Sequence, residues 1–322
     1  MRAAEGADVV ESWMMAYRLR RAEKVGVGMR RLVRAEIDAA VAALRGEGDR
    51  DEAIHEARKG IKRIRAALRL VRDGLGERFQ PENVRYRDVG QKLSGLRDAG
   101  ALLETFAAIE EEGGEKFGGV RAALEAYKRR CEAAVDPGAA MEEAAAGLEA
   151  GRGEVAVWRG IGEGFGAIEP GLRRTARDAR RAWRRAGQNP APEEFHEWRK
   201  RTKDHWHHVK LLEGMRAAAL RRYAGRIKKM EQRLGDEHNV AVLDQVMREH
   251  VDLFAEGEER AAVERAAGAL REKLRRDAFK LAEEVWAPKT GEFVGVVEHW
   301  WEAWRGERAS EWERRVGLEE RG

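Results

Sequence analysis

Two short stretches of the sequence carry the side chains best suited to binding an anion. The first, HEARKGIKRIRAALRL, runs from residue 55 to residue 70, and the second, HEWRKRTKDHWHHVKL, runs from residue 196 to residue 211. Guanidinium groups bind phosphate oxygens through paired N–H donors, and ammonium groups bind them as compact point charges. Both stretches therefore predict contacts with phosphate or with another repeating anion.

The basic side chains of each stretch fall on one side of a helical wheel. Successive residues of an α-helix are about 100° apart, which groups these positions within an arc of about 120° beside an apolar face. The first arc consists of His55, Arg58, Lys59, Lys62, Arg65 and Arg69. The second arc consists of His196, Arg199, Lys200, Lys203, His207 and Lys210. Trp206 stands where the first stretch has Arg65, so the two arcs are not identical.

The two stretches are related by an internal repeat with a shift of 141 residues and no gap. The basic or histidine positions that coincide under this shift include His55 and His196, Arg58 and Arg199, Lys59 and Lys200, Lys62 and Lys203, Arg69 and Lys210, Arg85 and Arg226, and Lys92 and Arg233. One register holds across two predicted helices and the turn between them. We therefore interpret the sequence as a duplicated helical unit.

A basic helix face in so charged a chain is by default a solvated surface, since 37% of the residues are charged. Like charges one helical turn apart repel, which costs a few tenths of a kcal/mol per pair. Acidic neighbours or a bound polyanion would offset this repulsion. Because both copies keep the pattern His-x-x-Arg-Lys-x-x-Lys, we favour a bound polyanion over acidic neighbours as the partner of these basic faces.

The elements that position these stretches are predicted to be helices throughout. The chain has only 6 prolines, and no run of alternating β-branched residues suggests a sheet. Periodicity predicts helices at residues 7–46, 51–74, 80–111, 116–134, 138–149, 155–187, 192–213, 216–250, 258–286 and 290–316. A glycine-rich segment at 147–171 is the predicted linker. We expect an all-α protein of two four-helix-bundle-like units, at 1–150 and 151–322, with a basic channel at or near their interface.

Charge and cysteine content indicate a cytoplasmic protein. The net charge is only +4, so any strong field must arise from local clustering of basic residues. Cys131 is the single cysteine, which excludes an intramolecular disulfide and fits a reducing compartment. No apolar run is long enough to span a membrane, and the first residues lack the pattern of a signal peptide.

Catalytic and metal chemistry find little support in the sequence. Gly-x-Gly strings follow no predicted strand, and no nucleophile–base pairing is evident. His205, His207, His208 and His238 suggest a metal site, but His207 lies on the basic arc and His205 on the apolar side, so the set does not converge. We expect no catalytic residue, no metal site and no cofactor.

The two basic stretches, together with QKLSGLRDAGALL and QRLGDEHNVAVL, resemble the signature of the CHAD family, the conserved histidine α-helical domain. The resemblance extends from the first predicted helix to about residue 285. It implies two similar helical bundles about a pseudo-twofold axis, a basic groove or pore between them, binding of inorganic polyphosphate and association with polyphosphate granules. The Glu-x-Glu-x-Lys signature of the triphosphate-tunnel (CYTH) domain, which accompanies many such proteins, is absent, so a stand-alone CHAD protein is expected.

The match assigns a ligand-contact role to residues of both copies. They are His55, Arg58, Lys59, Lys62, Arg65, Arg69, Arg85, Lys92, His196, Arg199, Lys200, Lys203, Lys210, Arg226 and Arg233. Single-stranded nucleic-acid binding and metal-dependent phosphohydrolysis are the alternative functions. We do not expect nucleic acid as the partner, because a narrow channel suits a thin, unbranched polyanion better than a duplex.

Overall fold

The computed structural model describes residues 17–94, 98–133, 136–215 and 217–306, and within these ranges it contains helices and no strands. The helices are α1 Val25–Arg45, α2 Arg50–Leu70, α3 Arg72–Leu75, α4 Phe79–Lys92, α5 Asp98–Gly113, α6 Gly118–Ala133, α7 Pro137–Ala156, α8 Glu169–Gln188, α9 Pro192–Leu211, α10 Ala218–Glu249, α11 Glu258–Val285 and α12 Thr290–Gly306. The predicted all-α fold class is confirmed. Of the helices in the described part of the chain, none has the length and apolar character required to cross a membrane.

Two helix boundaries in the first half differ from the prediction. The first predicted helix, 7–46, begins only at Val25, residues 17–24 are not helical, and residues 7–16 lie outside the described residues. The predicted helix 80–111 is two helices, α4 and α5. Ser94 closes α4: its backbone N–H and its hydroxyl both donate to the carbonyl of Gln91, at 3.0 Å and 2.6 Å. A serine that binds the backbone locally in this way competes with continuation of the helix.

The predicted linker at 147–171 is helical in its first part, because α7 continues to Ala156 and α8 begins only at Glu169. Glycine in this segment serves close packing of α7 on α4: a Cβ atom at Gly151 would lie 2.6 Å from the hydroxyl of Tyr86. The connection between the halves is therefore residues 157–168. The division at residue 150 falls inside α7 and stays a prediction.

The buried apolar residues form two separate clusters. The larger contains residues from 17–93, 144–234 and 278–304, and the smaller contains residues from 102–124 and 240–274. The smaller cluster lies where α5 and α6 pack against the C-terminal part of α10 and the N-terminal part of α11. Both halves of the sequence thus contribute to both cores.

The two basic stretches form α2 and α9, and these helices are in contact. Asp49 caps α2, since its carboxylate accepts from the backbone N–H of Glu52 at 2.8 Å. The apolar faces predicted from periodicity are buried: Ile54, Ala57, Ile61, Ile64 and Leu68 on α2, and Phe195, Trp198 and Val209 on α9. Burial of each large side chain contributes about 1.5–3 kcal/mol. This burial fixes the rotation of both helices and hence the direction of their basic arcs.

A glycine allows α8 to approach the end of α2. A Cβ atom at Gly171 would lie 2.0 Å from the carbonyl oxygen of Leu70, closer than non-bonded atoms can come. The same region is joined by a side chain of α9, because His208 Nε2 lies 2.9 Å from the carbonyl oxygen of Ala66. The end of α2 is therefore tightly held by α8 and α9.

A buried chain of hydrogen bonds crosses this junction. The Ala66 carbonyl can only accept, so His208 Nε2 donates to it and His208 Nδ1 accepts from the Thr175 hydroxyl at 3.0 Å. Thr175 Oγ1 then accepts from His205 Nδ1 at 3.4 Å, and Tyr223 donates to His205 Nε2 at 3.0 Å. Burial lowers the pKa of both His205 and His208 to about 3, so both imidazoles are neutral at pH 7.

Candidate anion-binding site

Four basic residues from α2 and α9 come together where the helices face each other. Burial, followed by the charges of Lys203, Arg58 and Arg199, lowers the pKa of Lys62 to about 7. Arg58 and Lys62 belong to α2, whereas Arg199 and Lys203 belong to α9. The two arcs predicted from the sequence therefore meet at these residues, which we call the central cluster.

Lys62 is exposed to solvent, yet the protein around it lowers its pKa. Neighbouring atoms displace part of the water around its ammonium group, which disfavours the charged form. Lys203 is half-buried, and burial lowers its pKa against the opposing charge of Glu231. Of the four residues of the central cluster, Lys62 is therefore the most exposed to solvent.

The two arginines of the central cluster are held differently. Arg58 Nη1 donates to the carbonyl oxygens of Leu93 and Ser94, at 3.3 Å and 3.1 Å, at the end of α4. Arg199 is half-buried, and its Nε is buried without a hydrogen-bond partner among the described residues. Within the same ranges, neither Lys62 nor Arg199 forms an ion pair with a carboxylate. Part of the positive charge of the central cluster is thus left without a counter-ion.

One buried carboxylate, that of Glu231 on α10, lies beside the central cluster. It is 3.4 Å from Lys203 Nζ and 2.8 Å from Lys228 Nζ. Burial alone would raise the pKa of Glu231, but Lys203 and Lys228 outweigh it and the pKa lies below its usual value. Lys228 also lies over the ring of Trp206, with Nζ 5.1 Å from the ring centroid.

Sequence reasoning missed both Lys228 and Glu231. Under the 141-residue shift their positions correspond to Arg87 and Gly90, so the repeat contains no matching pair. The available signal was their spacing of three residues, which places the two side chains on one face of α10.

A second group of charges surrounds Asp204. Arg69 Nη1 donates to Asp204 Oδ1 at 2.8 Å. Burial raises the pKa of Asp204, while Arg69, Arg201 and Arg65 act in the opposite direction. Arg65 Nε donates to the side-chain oxygen of Asn83 at 3.2 Å, and burial lowers the pKa of Arg65 to about 10.

Three of the predicted lysines bind a glutamate on or just beyond their own helix. The pairs are Lys59 with Glu56, Lys200 with Glu197 at 3.2 Å, and Lys210 with Glu213 at 2.5 Å. Pairs of this kind at a protein surface contribute little net stability and are readily exchanged. These lysines remain accessible to a ligand, but they begin with a partner.

Four predicted residues lie apart from the central cluster. Lys92 binds Glu143 of α7, while Arg226 and Arg233 lie 3.3 Å and 3.7 Å from Glu284 and Asp277 of α11. Arg233 also lines a pocket of about 680 Å³, whose charged residues are three basic (Lys229, Arg233, Lys280) and three acidic (Asp236, Asp277, Glu284). Arg85 is half-buried near Glu82, and its Nε has no hydrogen-bond partner within the described ranges.

The histidines divide into surface and core residues. His55 is half-buried, and His196 is exposed with its Nδ1 3.3 Å from Nδ1 of His238. Burial lowers the pKa of both members of this pair, that of His238 to about 4. His207 lies near Lys203 and Lys62, but its ring is buried against the Tyr17 ring, with centroids 6.4 Å apart, so it does not face solvent as the other members of the basic arc do.

No cluster of three or more His, Cys, Asp or Glu side chains suited to a metal ion occurs in the described part of the chain. His205 and His208 do share a face, but their ring nitrogens bind Thr175, Tyr223 and Ala66. The arrangement that remains is a set of cations from two neighbouring helices, many of them paired with carboxylates, in which Lys62 and Arg199 form no ion pair within the described residues. Such a set attracts anions that carry several charges.

Comparisons with known proteins bear on the whole of this region. The family model described as the CHAD domain matches residues 31–248. A crystal structure of the CHAD domain from the plant Ricinus communis is 17% identical, with a TM-score of 0.57 and coverage of 88% of this chain and 94% of that chain. PptA from Streptomyces chartreusis is 16% identical, with a TM-score of 0.59 and coverage of 83% of this chain and 100% of that chain. A search among curated proteins finds no match.

Proposed function

The chain belongs to the CHAD domain family, and from that premise we propose that it binds inorganic polyphosphate without chemically altering it. The observation that carries the proposal is the meeting of Arg58 and Lys62 with Arg199 and Lys203 across the contact of α2 with α9. The sequence resemblance implies the same ligand. A polyphosphate chain presents one repeating anionic group, so recognition requires spaced cations and no reading of sequence.

The electrostatic state of the central cluster supports a multivalent anion as the ligand. Lys62 and Arg199 have no carboxylate partner within the described ranges, and the Arg199 Nε is a buried donor without an acceptor. A phosphate oxygen would supply the missing acceptor and reduce repulsion among the four cations. Release of counter-ions from the polyphosphate chain would add to the affinity and make it sensitive to salt.

We also propose the path that the polyphosphate follows along the surface of α2 and α9. From the central cluster, Arg65 and Arg69 continue along α2, and His55 and His196 lie toward the beginnings of α2 and α9. Phosphates that follow α2 and α9 would then meet a guanidinium or ammonium group at each turn. Lys59, Lys200 and Lys210 would join after exchanging their glutamate partners for phosphate.

A competition experiment separates polyphosphate from single-stranded nucleic acid. Long-chain polyphosphate labelled at its end is bound at physiological salt, and unlabelled polyphosphate or single-stranded RNA is added at equal phosphate concentration. We expect polyphosphate to displace the label far more effectively, because the narrow phosphate chain can lie along both helices at once. Efficient displacement by RNA would overturn the choice of ligand.

The absence of catalysis is part of the proposal and has its own test. The protein is incubated with polyphosphate and Mg²⁺, Mn²⁺ or Zn²⁺, and free phosphate and chain length are followed over time. We expect neither to change. Sustained, enzyme-dependent release of phosphate would instead support a metal-dependent phosphohydrolase.

We also propose that binding occurs in the cytoplasm and recruits the protein to polyphosphate granules. A fluorescent fusion should coincide with granules in cells that accumulate polyphosphate and should become diffuse when the granules are depleted. A diffuse signal in both conditions would contradict recruitment without affecting the binding proposal.

A further inference from the structure

Lys62 is surrounded by cations from two helices. Arg58 precedes it by one turn on α2, while Arg199 and Lys203 face it from α9. The nearby His207 adds no charge, because burial holds its pKa well below the usual value. Arg58 cannot turn away freely, because it is held by two carbonyl oxygens at the end of α4. The repulsion between Arg58 and Lys62 therefore cannot be reduced by a simple movement of the Arg58 side chain.

The carboxylates near this cluster are largely committed to other cations. Glu231 of α10 acts on Lys62 from a distance, but it is bound directly by Lys228 and Lys203. On the α1 side, Glu36 is paired with Arg63 at 3.0 Å. Among the described residues, the ammonium form of Lys62 thus has several repulsive neighbours, and the carboxylate that acts on it, Glu231, is shared with Lys203 and Lys228.

We propose that Lys62 takes up a proton when polyphosphate binds, so that the central cluster holds the chain more tightly as the pH falls. This inference rests on the proposed function. In the free protein, burial by the surrounding atoms and then the charges of Lys203, Arg58 and Arg199 favour the neutral amine of Lys62. A phosphate chain laid across the four residues reverses this preference, because its oxygens neutralise the neighbouring cations and accept from the ammonium group. The proton comes from solvent, and no covalent bond of the ligand changes.

The size of the effect follows from linkage. The pKa of Lys62 is about 7 without ligand, and phosphate oxygens raise it toward the ordinary range of lysine. The free protein is then mostly protonated at Lys62 near pH 6 and mostly neutral near pH 8. Affinity should fall by about tenfold between about pH 6 and about pH 8, and binding near pH 7 should take up roughly half a proton at this site.

The experiment is calorimetric titration of the full chain with long-chain sodium polyphosphate. Titrations at a single pH in buffers of different ionisation enthalpy yield the number of protons taken up per binding event. Lys62→Arg is the decisive variant, because a guanidinium stays charged throughout this pH range. Lys273→Arg is the matched control, since it makes the same exchange on α11, outside the proposed site, on a lysine that is paired with Glu112 at 2.5 Å.

We expect proton uptake in the wild type and in Lys273→Arg, and a loss of about half a proton in Lys62→Arg near pH 7. Protons linked to the ends of the polyphosphate chain itself would be the same in all three proteins and cancel in the comparison. Equal uptake in the wild type and Lys62→Arg would overturn the inference while leaving polyphosphate binding in place. Failure of the wild type to bind polyphosphate near pH 6 would overturn the proposed function itself.

Discussion

Arg69 of α2 donates to Asp204 of α9 across 2.8 Å, and this bond joins the first half of the chain to the second. The two side chains are 21% and 12% exposed. Asp204 stands where the first copy has Arg63, so the second copy has an acidic residue where the first copy has a basic one. The bond places an anion among Arg65, Arg69 and Arg201, next to the candidate path of the ligand.

Removing one partner of this bond should destabilise the protein. Asp204→Ala leaves Arg69 without its acceptor among other arginines, and we expect the free energy of unfolding to fall by about 3 kcal/mol. Urea denaturation followed by circular dichroism measures the change. Replacing both partners, with Arg69→Met and Asp204→Val, should return the stability to within about 1 kcal/mol of the wild type, since the desolvation cost disappears with the attraction. A double variant as unstable as Asp204→Ala would show that the two residues do not act as a pair.

The central cluster should matter more for binding than neighbouring lysines of the same stretches. Lys62→Ala with Lys203→Ala should weaken polyphosphate binding by at least about tenfold, because two desolvated charge-assisted contacts are lost. Lys59→Ala with Lys200→Ala removes the same charge at positions related by the same shift, from lysines that already have glutamate partners. This control should lose about threefold or less. Titration at constant salt compares the two, and equal losses would show that only total charge matters.

Reversing the charge of four lysines, two from each basic stretch, should abolish retention of the protein on immobilised polyphosphate. Lys59→Glu, Lys62→Glu, Lys200→Glu and Lys203→Glu together replace the cations with groups that repel phosphate. The far-ultraviolet circular dichroism should keep its helical form, because the apolar faces of α2 and α9 are unchanged. Folded protein that is still retained would contradict the assignment of the site.

The buried histidines should make the protein sensitive to acid. Their folded pKa values of about 3 lie below the ordinary value of about 6.5. Between these values the unfolded chain binds more protons, so the free energy of unfolding should decrease as the pH falls from about 6.5 toward 3. Each histidine contributes a slope of about 1.4 kcal/mol per pH unit in that window. His208→Phe should reduce the slope by about that amount. Urea denaturation across this pH window measures the slope, and an unchanged slope in the variant would contradict the expectation.

The close approach of α8 to α2 should make Gly171 intolerant of a side chain. Gly171→Ala would force the helices apart, and we expect a loss of about 2–3 kcal/mol of stability. Gly225→Ala is the matched control, since a Cβ atom there meets open space within α10. That change should instead stabilise the helix by up to about 1 kcal/mol. Thermal or urea denaturation of both variants gives the comparison, and equal effects would contradict the packing argument.

Helix content and the apolar faces of α2 and α9 could be predicted from the sequence. These features are local, because the position of a residue around a helix depends on its backbone turn of about 100° per residue. The ends of the helices were harder to predict where a hydrogen bond or a packing contact of one side chain decides them. Ser94 ends α4 through its hydrogen bonds to Gln91. Gly147 and Gly151 of α7 allow close packing on α4 and do not belong to a linker.

The sequence by itself determined the all-α class and the two basic arcs, since both follow from periodicity along single helices. Only the tertiary structure decided which basic residues meet. Lys62 and Lys203 come together because burial of the apolar faces turns α2 and α9 toward each other, whereas Lys92 and Arg233 face α7 and α11. Glu231 and Asp204 enter the region in the same way, from positions that the repeat does not match. Electrostatic interaction depends on distance in space, which the packing of helices far apart in the sequence sets.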